Sequence, residues 1–524
     1  MNLPRRTAPA LLAVTAASIF MAACGGTAEA PNTLHVLAGS ELQDIAPMSA
    51  DIVAKTGVTL KFDYVGTLTG AEEIANGQIG NHQLAWFSST NYLALLPGGK
   101  GKLGVSTRIM QSPVVLGVKH SVAQSLGWSA NSSVTWKDIA AAASAGRFRF
   151  GMTNPSASNT GFSALVGVAT ALSGASGALT INDINATQLT GFFSGLQLTA
   201  GSSGFLADTY TRNQDRVDGL INYESVLLSL NAGGRLREPF DLVYPRDGII
   251  TAGYPLVLLD PSKRDLYDKL TAYFTSADVQ RQLMTMTARR PVLSSIKLDS
   301  RFPTQVLFEA PFPGSLDVVD TLIEQYLDNF TKPSHTVYVL DLSGSMEGER
   351  LDMLKQAFHL LTDPNSQGVE RFARFRSREE VTIITFNDHV LDNRDFTVMN
   401  ATQPDQLRPI SDYVDSLTAG GATAIYDAMD EAYRVADQAR TSDPGHFVSV
   451  VLMTDGENNS GEDAGSFSSS LQQLQHHDIP AFPILFGEGN LQELQQIADQ
   501  TGGKLFNSQQ ASLASTFEEI RGYQ

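Results

Sequence analysis

The feature that most constrains the fold is a repeated unit in which a short apolar strand ends in hydroxyl or carboxyl side chains and a helix follows. Residues 34–38, 60–65 and 84–87 are three such strands, and residues 336–340 and 448–454 are two more. Strands that alternate with helices favour a parallel α/β sheet. In such sheets ligands bind at the carboxyl ends of the strands. We therefore expect an α/β protein whose functional side chains directly follow its strands.

Length and charge limit the classes of function. The 524 residues are enough for about two to four domains, and 42% hydrophobic with 18% charged residues is ordinary globular composition. The net charge is −18 and the pI about 4.9. Because an acidic surface repels phosphate backbones, we expect no nucleic-acid partner.

The N-terminal residues have the pattern of a targeting signal. Arg5 and Arg6 precede an apolar run, residues 8–23, and then Cys24, the only cysteine. This is the layout of a secretory signal peptide, and the run is too short to span a membrane. A single cysteine allows no intramolecular disulfide.

Residues 21–26 resemble a bacterial lipobox. The resemblance implies a signal peptide of residues 1–23, lipid attachment at Cys24 and a tether of residues 24–33. The protein would then lie on the extracytoplasmic face of a bacterial cell envelope, with the lipid as its only membrane contact. The alternative is a plain signal peptide cleaved near Ala23, which would leave Cys24 as a free thiol.

Polar side chains at strand ends and helix starts mark a candidate ligand site in residues 34–305. Hydroxyls together with helix-start amides suit an oxyanion, whereas a carboxylate among them suits a cation or an amine. The hydroxyls could equally be ordinary helix caps. The candidates are Ser40, Thr67, Ser88, Ser89, Ser158, Thr160, Tyr223 and Glu224.

The segments 38–42, 66–67, 153–155 with 160–161, and 222–225 resemble those of an extracellular solute-binding protein. The resemblance implies a two-lobed, periplasmic-binding-protein-like (type 2) domain over residues 34–305, with a small solute or oxyanion in its cleft. Residues 306–333 would be a linker. Apolar residues at helical spacing from 316 to 327 predict an amphipathic helix within it, which Lys332 and Pro333 end.

The last part of the chain places oxygen donors at three points in succession. Asp341, Ser343 and Ser345 follow the strand at residues 336–340, Thr423 precedes a helix, and Asp455 follows the strand at residues 448–454. Mg²⁺ prefers hard oxygen ligands. The three hydroxyls are neutral, so a bound metal would stay electron-poor toward its open position, where a partner's carboxylate could complete its shell. Each short motif alone could be a cap or a turn, and the prediction rests on their order.

These five residues resemble the metal-ion-dependent adhesion site of von Willebrand factor A (VWA) domains. The resemblance covers residues 334–524 and implies a Rossmann-like, doubly wound sheet. It also implies Mg²⁺, or Mn²⁺ or Ca²⁺, touched directly by the serines and the threonine, and by the aspartates directly or through water. In that family the metal serves protein binding rather than catalysis.

Two functions follow as alternatives. The first is a cell-surface lipoprotein that binds a protein partner through a metal ion, with adhesion coupled to small-ligand binding in the first domain. The second is the solute-binding receptor of an ABC-type transport system, with the VWA domain as an accessory. The sequence contains no recognisable Ser-His-Asp order, Cys-His pair, His-Glu-x-x-His or Walker loop, so we do not expect an enzyme.

Overall fold

The computed structural model describes residues 31–129, 133–175, 177–303, 306–487, 489–507 and 513–523. The predicted signal peptide and the predicted lipidation site Cys24 lie outside these residues. Within the described ranges, no helix is both long enough and apolar enough to cross a membrane.

The first part of the chain alternates strands and helices, as its apolar pattern predicts. Its strands are β1 (Thr33–Ala38), β2 (Thr59–Tyr64), β3 (Leu84–Trp86), β4 (Ser106–Arg108), β5 (Met110–Lys119), β6 (Phe150–Thr153), β7 (Leu196–Ala200), β8 (Gly219–Tyr223), β9 (Phe240–Val243), β10 (Thr251–Ala252), β11 (Pro255–Leu258) and β12 (Arg290–Pro291). Its α-helices are α1 (Ser49–Thr56), α2 (Thr67–Asn76), α3 (Asn91–Leu95), α4 (Gly99–Lys102), α5 (His120–Leu126), α6 (Trp136–Ser144), α7 (Asn159–Ser173), α8 (Ala186–Phe193), α9 (Ser203–Arg212), α10 (Glu224–Ala232), α11 (Arg264–Phe274) and α12 (Ala277–Thr287).

These strands form two sheets, and each sheet is the centre of one lobe. The first sheet has the order β2-β1-β3-β11-β4, and the second has the order β10-β5-β8-β6-β7, with β9 and β12 also paired to β5. The chain crosses to the second sheet after β4, returns to the first at β11, and crosses again to pair β12 with β5. This gives a first and a second lobe with a cleft between them.

A linker helix joins the two lobes to the last part of the chain. Helix α13 (Leu316–Gln325) continues into a π-helical turn, Tyr326–Phe330. The predicted amphipathic face is buried, with Val319, Leu322 and Ile323 fully inside the core of the first part.

The last part is a six-stranded sheet with helices on both faces. Its strand order is β15-β14-β13-β16-β17-β18, and only the edge strand β15 runs antiparallel to its neighbour. The strands are β13 (Ser334–Asp341), β14 (Glu379–Phe386), β15 (Val390–Val398), β16 (Phe447–Thr454), β17 (Ala481–Leu485) and β18 (Phe506–Asn507). The helices are α14 (Glu349–Thr362), α15 (Glu370–Ala373), α16 (Pro404–Asp415), α17 (Ile425–Ser442), α18 (Ala464–Gln473), α19 (Leu491–Thr501) and α20 (Leu513–Arg521).

The central strand β13 explains the doubly wound arrangement. Alternate side chains of a strand face opposite sides of a sheet. Val337 and Val339 belong to the apolar cluster around α17, whereas Tyr338 and Leu340 belong to the cluster that contains α14. The predicted α/β fold class, a two-lobed part followed by a doubly wound part, is confirmed.

The second lobe and the last part share one apolar core. A single cluster contains Leu198 and Tyr210 of the second lobe together with Phe482 and Tyr523 of the last part. The Phe205 and Tyr523 rings meet edge to face, with centroids 4.8 Å apart. The two parts of the molecule are therefore packed together through buried aromatic side chains.

Candidate functional site

The five predicted metal-binding residues come together at one edge of the third sheet. Asp341 is the last residue of β13, and Asp455 directly follows β16. The two strands are parallel neighbours, with Leu340 opposite Met453, so their carboxyl ends meet. We call Asp341, Ser343, Ser345, Thr423 and Asp455 the metal-loop site.

Asp341 is held rigidly at the bottom of this site. Its side chain is buried, and its Oδ1 accepts a hydrogen bond from the Ser343 backbone N–H at 2.8 Å, while its Oδ2 accepts one from the Thr454 hydroxyl at 2.5 Å. Burial raises the pKa of Asp341 above its ordinary value, and the nearby Asp455 raises it further, against the lowering effect of the hydrogen bonds. Two carboxylates so close together favour a cation between or beside them.

The hydroxyl groups lie against the second carboxylate. Ser343 Oγ and Ser345 Oγ are 3.1 Å apart, and the Ser345 hydroxyl donates to Asp455 Oδ1 at 2.8 Å. Thr423 faces the same space, because a methyl group placed on Gly456 would lie 3.7 Å from Thr423 Oγ1 and 3.8 Å from Ser345 Oγ. Oxygen donors from all three loops therefore converge.

A pair of asparagines fixes the Thr423 loop. Asn459 accepts a hydrogen bond from the Thr423 N–H at 2.8 Å and returns one from its own N–H to the Thr423 carbonyl at 2.9 Å. Asn458 Oδ1 accepts from the Ile425 N–H at 2.7 Å, at the start of α17. Local sequence patterns do not mark these asparagines as site residues, because their contacts span more than 30 residues of chain.

Arg350 is a further member of the site that the sequence analysis missed. Its guanidinium donates hydrogen bonds to the Asp455 carboxylate and, at 3.1 Å, to the Ser345 carbonyl. It lies in the first turn of α14, where the helix dipole disfavours a positive charge. That mismatch is the signal by which the sequence could have revealed it. Arg350 supplies positive charge to an otherwise acidic site.

The donor set fits a hard divalent cation. Two carboxylates and three hydroxyls offer only oxygen, as Mg²⁺ and Mn²⁺ prefer. Across the described residues, no group of three or more His, Cys, Asp or Glu residues has the arrangement of a metal site. A site with few carboxylates leaves a bound cation with residual charge for an external anion.

The cleft between the lobes is the second candidate site. It encloses a cavity of about 470 Å³, and Ser40, Thr67, Ser158 and Tyr223 of the predicted set line it. The starts of α2, α7 and α9 border the cavity, so backbone N–H groups face it. We call this cavity the interlobe cleft.

Ser88, Ser89 and Thr160 of the predicted set do not line this cavity. Ser88 is fully buried behind the cleft, and Thr160 Oγ1 lies 2.5 Å from Ser203 Oγ. The Ser89 hydroxyl accepts a hydrogen bond from the Asn91 N–H at 3.1 Å and so acts as a turn residue near α3. Ser40 lines the cleft but is not the helix N-cap, which is Gly39.

The prediction that Glu224 offers a carboxylate to a ligand is wrong. Glu224 is fully buried, and Arg290 binds both of its carboxylate oxygens, at 2.7 Å each. Tyr244 donates a third hydrogen bond at 2.6 Å. This carboxylate is neutralised inside the protein and does not line the interlobe cleft.

Glu41 is one of three acidic residues that line the cleft, together with Asp208 and Glu519. Burial raises its pKa, and Oε1 has no hydrogen-bond partner among the described residues. The cleft is also lined by Lys504 and Glu519, which form an ion pair and come from the last part of the chain. This pair could not be predicted from the sequence, because only the packing of α20 against the second lobe brings it to the cleft.

Two known protein families match separate parts of this chain. Residues 34–285 match the bacterial extracellular solute-binding proteins, and residues 336–520 match the von Willebrand factor type A domain. Inter-alpha-trypsin inhibitor heavy chain H3 of Homo sapiens is 29% identical over 134 residues, which are 25% of this chain and 14% of that protein. The chain thus covers only a small share of this curated relative's length.

Two solved structures are similar to separate parts of the chain. The periplasmic binding protein P5PA is 16% identical with a TM-score of 0.43, and the match covers 56% of this chain and 98% of that one. The von Willebrand factor type A protein from Catenulispora acidiphila is 18% identical with a TM-score of 0.29, and the match covers 37% of this chain and 42% of that one.

Proposed function

We propose that this chain, in which a bacterial extracellular solute-binding domain precedes a von Willebrand factor type A domain, binds a protein partner through a divalent cation held in the metal-loop site. The observation that carries the proposal is the convergence of Ser343, Ser345 and Thr423 hydroxyls beside the Asp341 and Asp455 carboxylates. The partner would offer a carboxylate to the cation. The role is binding rather than catalysis.

The cation would be Mg²⁺, with Mn²⁺ or Ca²⁺ as substitutes. Ser343, Ser345 and Thr423 would hold it by their hydroxyls, and the two aspartates would balance its charge. When bound, the cation supplies a Lewis-acidic position for an external oxygen ligand. Of the five residues Ser345 is exposed, whereas Asp341, Ser343, Thr423 and Asp455 are buried, so an external ligand would reach the cation from the Ser345 side.

Titration of the full chain with Mg²⁺ and with Mn²⁺ by calorimetry tests the site. We expect saturable binding that Asp341→Ala abolishes. Asp412→Ala removes the same charge from an exposed position of α16 and should leave binding unchanged. Equal binding by wild type and Asp341→Ala would contradict the proposal.

A second candidate function is a solute receptor for an ABC-type transport system. The observation in its favour is the interlobe cleft, a cavity of about 470 Å³ with a polar lining, which is within the usual size range of small-ligand sites. A small solute that copurifies with the chain, and that Tyr223→Phe loosens while Asp341→Ala does not, would favour this function. Metal-dependent capture of a protein, lost in Asp341→Ala alone, would favour the first.

The solute-binding domain points to a location outside the cytoplasm. We further propose that a lipid on Cys24 holds the chain at the cell envelope. Cys24→Ala should move the protein from the membrane fraction to the soluble fraction and abolish labelling by a radioactive fatty acid. Unchanged fractionation and labelling would exclude the lipid anchor.

A further inference from the structure

A basic cavity lies where the second lobe, the linker and the VWA domain meet. Its volume is about 300 Å³. The second lobe contributes Arg149 and Arg216, the linker contributes Lys332, and the VWA domain contributes Arg376, Arg440 and Arg521. Among the described residues that line it, none is aspartate or glutamate, although the whole chain has a net charge of −18. We call this space the junction cavity.

Only some of these cations have a carboxylate partner. Arg149 pairs with Asp218 at 2.9 Å, and Arg521 pairs with Glu379. Lys332 donates to the side-chain oxygen of Gln197 at 3.1 Å, and Arg216 donates to the Gln197 carbonyl at 3.0 Å. Within the described ranges, no carboxylate forms an ion pair with the four remaining cations. These four are Arg216, Lys332, Arg376 and Arg440.

Arg376 is the clearest unpaired charge. Its side chain is only 7% exposed, and its Nε and Nη2 have no hydrogen-bond partner among the described residues. Burial lowers its pKa to about 9, although Asp328 and, more weakly, Glu379 act in the opposite direction. Asp328 neither forms an ion pair with Arg376 nor lines the cavity. A buried charge without a counter-ion costs several kcal/mol, so this arrangement calls for an anion.

The neighbouring cations act on one another across the cavity. Burial lowers the pKa of Arg216, and Arg440 lowers it further. Burial likewise lowers the pKa of Lys332, with Arg440 and Arg216 adding to the effect. The second lobe, the linker and the VWA domain therefore all present positive charges to the junction cavity, and these charges repel one another. An anion bound among them would attract all of them.

We infer that the junction cavity binds a small multivalent oxyanion, namely inorganic phosphate or a phosphoryl group on a small metabolite. Guanidinium groups bind phosphate oxygens in a paired, planar geometry, and a volume of about 300 Å³ admits a ligand of this size. The bound anion joins Arg216 and Lys332 to Arg376 and Arg440. It thereby strengthens the contact between the solute-binding and VWA domains.

The junction cavity is distinct from the metal-loop site. Ser334 and Phe447, at the first residues of β13 and β16, line the cavity, whereas Asp341 and Thr454 at the opposite ends of these strands belong to or contact the metal-loop site. The eight residues of β13 separate the two by roughly 25 Å. Loss of metal binding would therefore leave anion binding at the junction intact, and the two proposals can fail independently.

The test is phosphate binding to the full chain by calorimetry, beside thermal unfolding, with sodium chloride used to hold ionic strength constant. We expect saturable binding of phosphate or pyrophosphate and a rise in Tm that chloride alone does not give. Arg376→Gln should weaken binding at least about tenfold. Without phosphate its Tm should not fall, because the substitution removes an unpaired buried charge.

Matched variants separate this site from others. Arg408→Gln makes the same charge change at an exposed position and should bind phosphate like wild type. Tyr223→Phe reports on phosphate that enters the interlobe cleft instead. Arg440→Gln, which alters the junction cavity at a half-buried position, replaces Arg376→Gln if that variant does not fold, and it should weaken binding as well. Absence of saturable binding by wild type, or wild-type affinity in a folded junction variant, would overturn the inference.

Discussion

At the scale of single residues, the metal-loop site combines two acidic side chains with one arginine. Arg350 binds Asp455, which is also a predicted ligand of the cation. A divalent cation and a guanidinium group therefore compete for the same carboxylate. Because Arg350 is 39% exposed, solvent limits the strength of this competition.

Arg350→Gln should therefore tighten Mg²⁺ binding, by a factor on the order of ten, which corresponds to about 1.4 kcal/mol. Removing a positive charge beside the site lowers its repulsion of the cation. Calorimetric titration of the full chain measures the change, with Arg408→Gln as the control for charge alone. Weaker binding by Arg350→Gln would mean that the arginine positions Asp455 instead of competing for it.

Asp430 on α17 is a second residue whose charge matters. Burial, followed by the nearby Glu462, raises its pKa to about 6. When the pKa of an acidic group is higher in the folded state than in the unfolded state, the folded protein loses stability as the pH rises from the unfolded-state pKa through the folded-state pKa. For Asp430 this loss of stability is complete above about pH 6 and absent below about pH 4.

Asp430→Asn should consequently raise the Tm at pH 7.5 and leave it nearly unchanged at pH 4. Thermal unfolding of both proteins at the two pH values checks this. Asp412→Asn, at an exposed position of α16, is the control. An equal effect of Asp430→Asn at both pH values would show that a lost contact, not a charge, is responsible.

At the scale of secondary-structure elements, one buried ion pair joins α20 to β14. Glu379 and Arg521 are 1% and 5% exposed, and both carboxylate oxygens of Glu379 accept hydrogen bonds from Arg521. Glu379 also accepts from the Ser334 hydroxyl at 3.0 Å and from the Arg376 N–H at 2.7 Å. The carboxylate thus ties together two strands, the loop before β14 and the last helix.

Glu379→Gln should lower the free energy of unfolding by about 3 kcal/mol or more, because it leaves Arg521 buried without a counter-ion. Denaturant unfolding gives the value. Ser334→Ala removes only one neutral donor from the same carboxylate and should cost about 1 kcal/mol. Equal losses for the two variants would show that the ion pair contributes no more than a single hydrogen bond.

The sequence predicts an element or a site residue well when the interactions that form it lie close together in the chain. The strands at residues 34–38, 336–340 and 448–454 follow from runs of apolar residues, and the structure has a strand at each. Asp341 and Asp455 follow these strands and so could be placed at one sheet edge. Arg350 is noticeable in the sequence only as a positive charge at the start of a helix. Its pairing with Asp455, 105 residues away, could not be predicted, because only the folded loops bring the two side chains together.

The interlobe cleft shows even more clearly that contacts between distant residues cannot be predicted from local sequence. Local pattern identified Ser40, Thr67, Ser158 and Tyr223, since hydroxyl groups near helix starts are visible in sequence. It placed Glu224 in the cleft, although Arg290, 66 residues away, neutralises that carboxylate. Ion-pair partners distant in sequence decide whether a charge faces a ligand or another side chain.

At the scale of the whole molecule, the VWA domain contacts both lobes of the solute-binding domain. The Val369 N–H donates to Glu72 Oε2 of the first lobe at 2.8 Å. Asn154 of the second lobe donates to the Arg521 carbonyl at 3.1 Å. A change in the angle between the lobes must therefore alter contacts with the VWA domain.

Phe205→Ala in the second lobe should loosen α20 of the VWA domain, because the Phe205 ring packs against Tyr523 and truncation leaves a gap there. Amide hydrogen exchange in residues 516–523 should become faster. Phe62→Ala removes a half-buried ring that stacks on Tyr64 in the first lobe and should not affect that segment. Unchanged exchange in Phe205→Ala would indicate that the domains are stabilised independently.

An anomalous difference map from crystals of the full chain grown with Mn²⁺ tests the metal-loop site most directly. We expect a peak among the Ser343, Ser345 and Thr423 hydroxyls, with the Asp341 and Asp455 carboxylates beside it, and no such peak in crystals of Asp341→Ala. A well-ordered metal-loop site without a peak at saturating Mn²⁺, or a peak that persists there in Asp341→Ala, would contradict it.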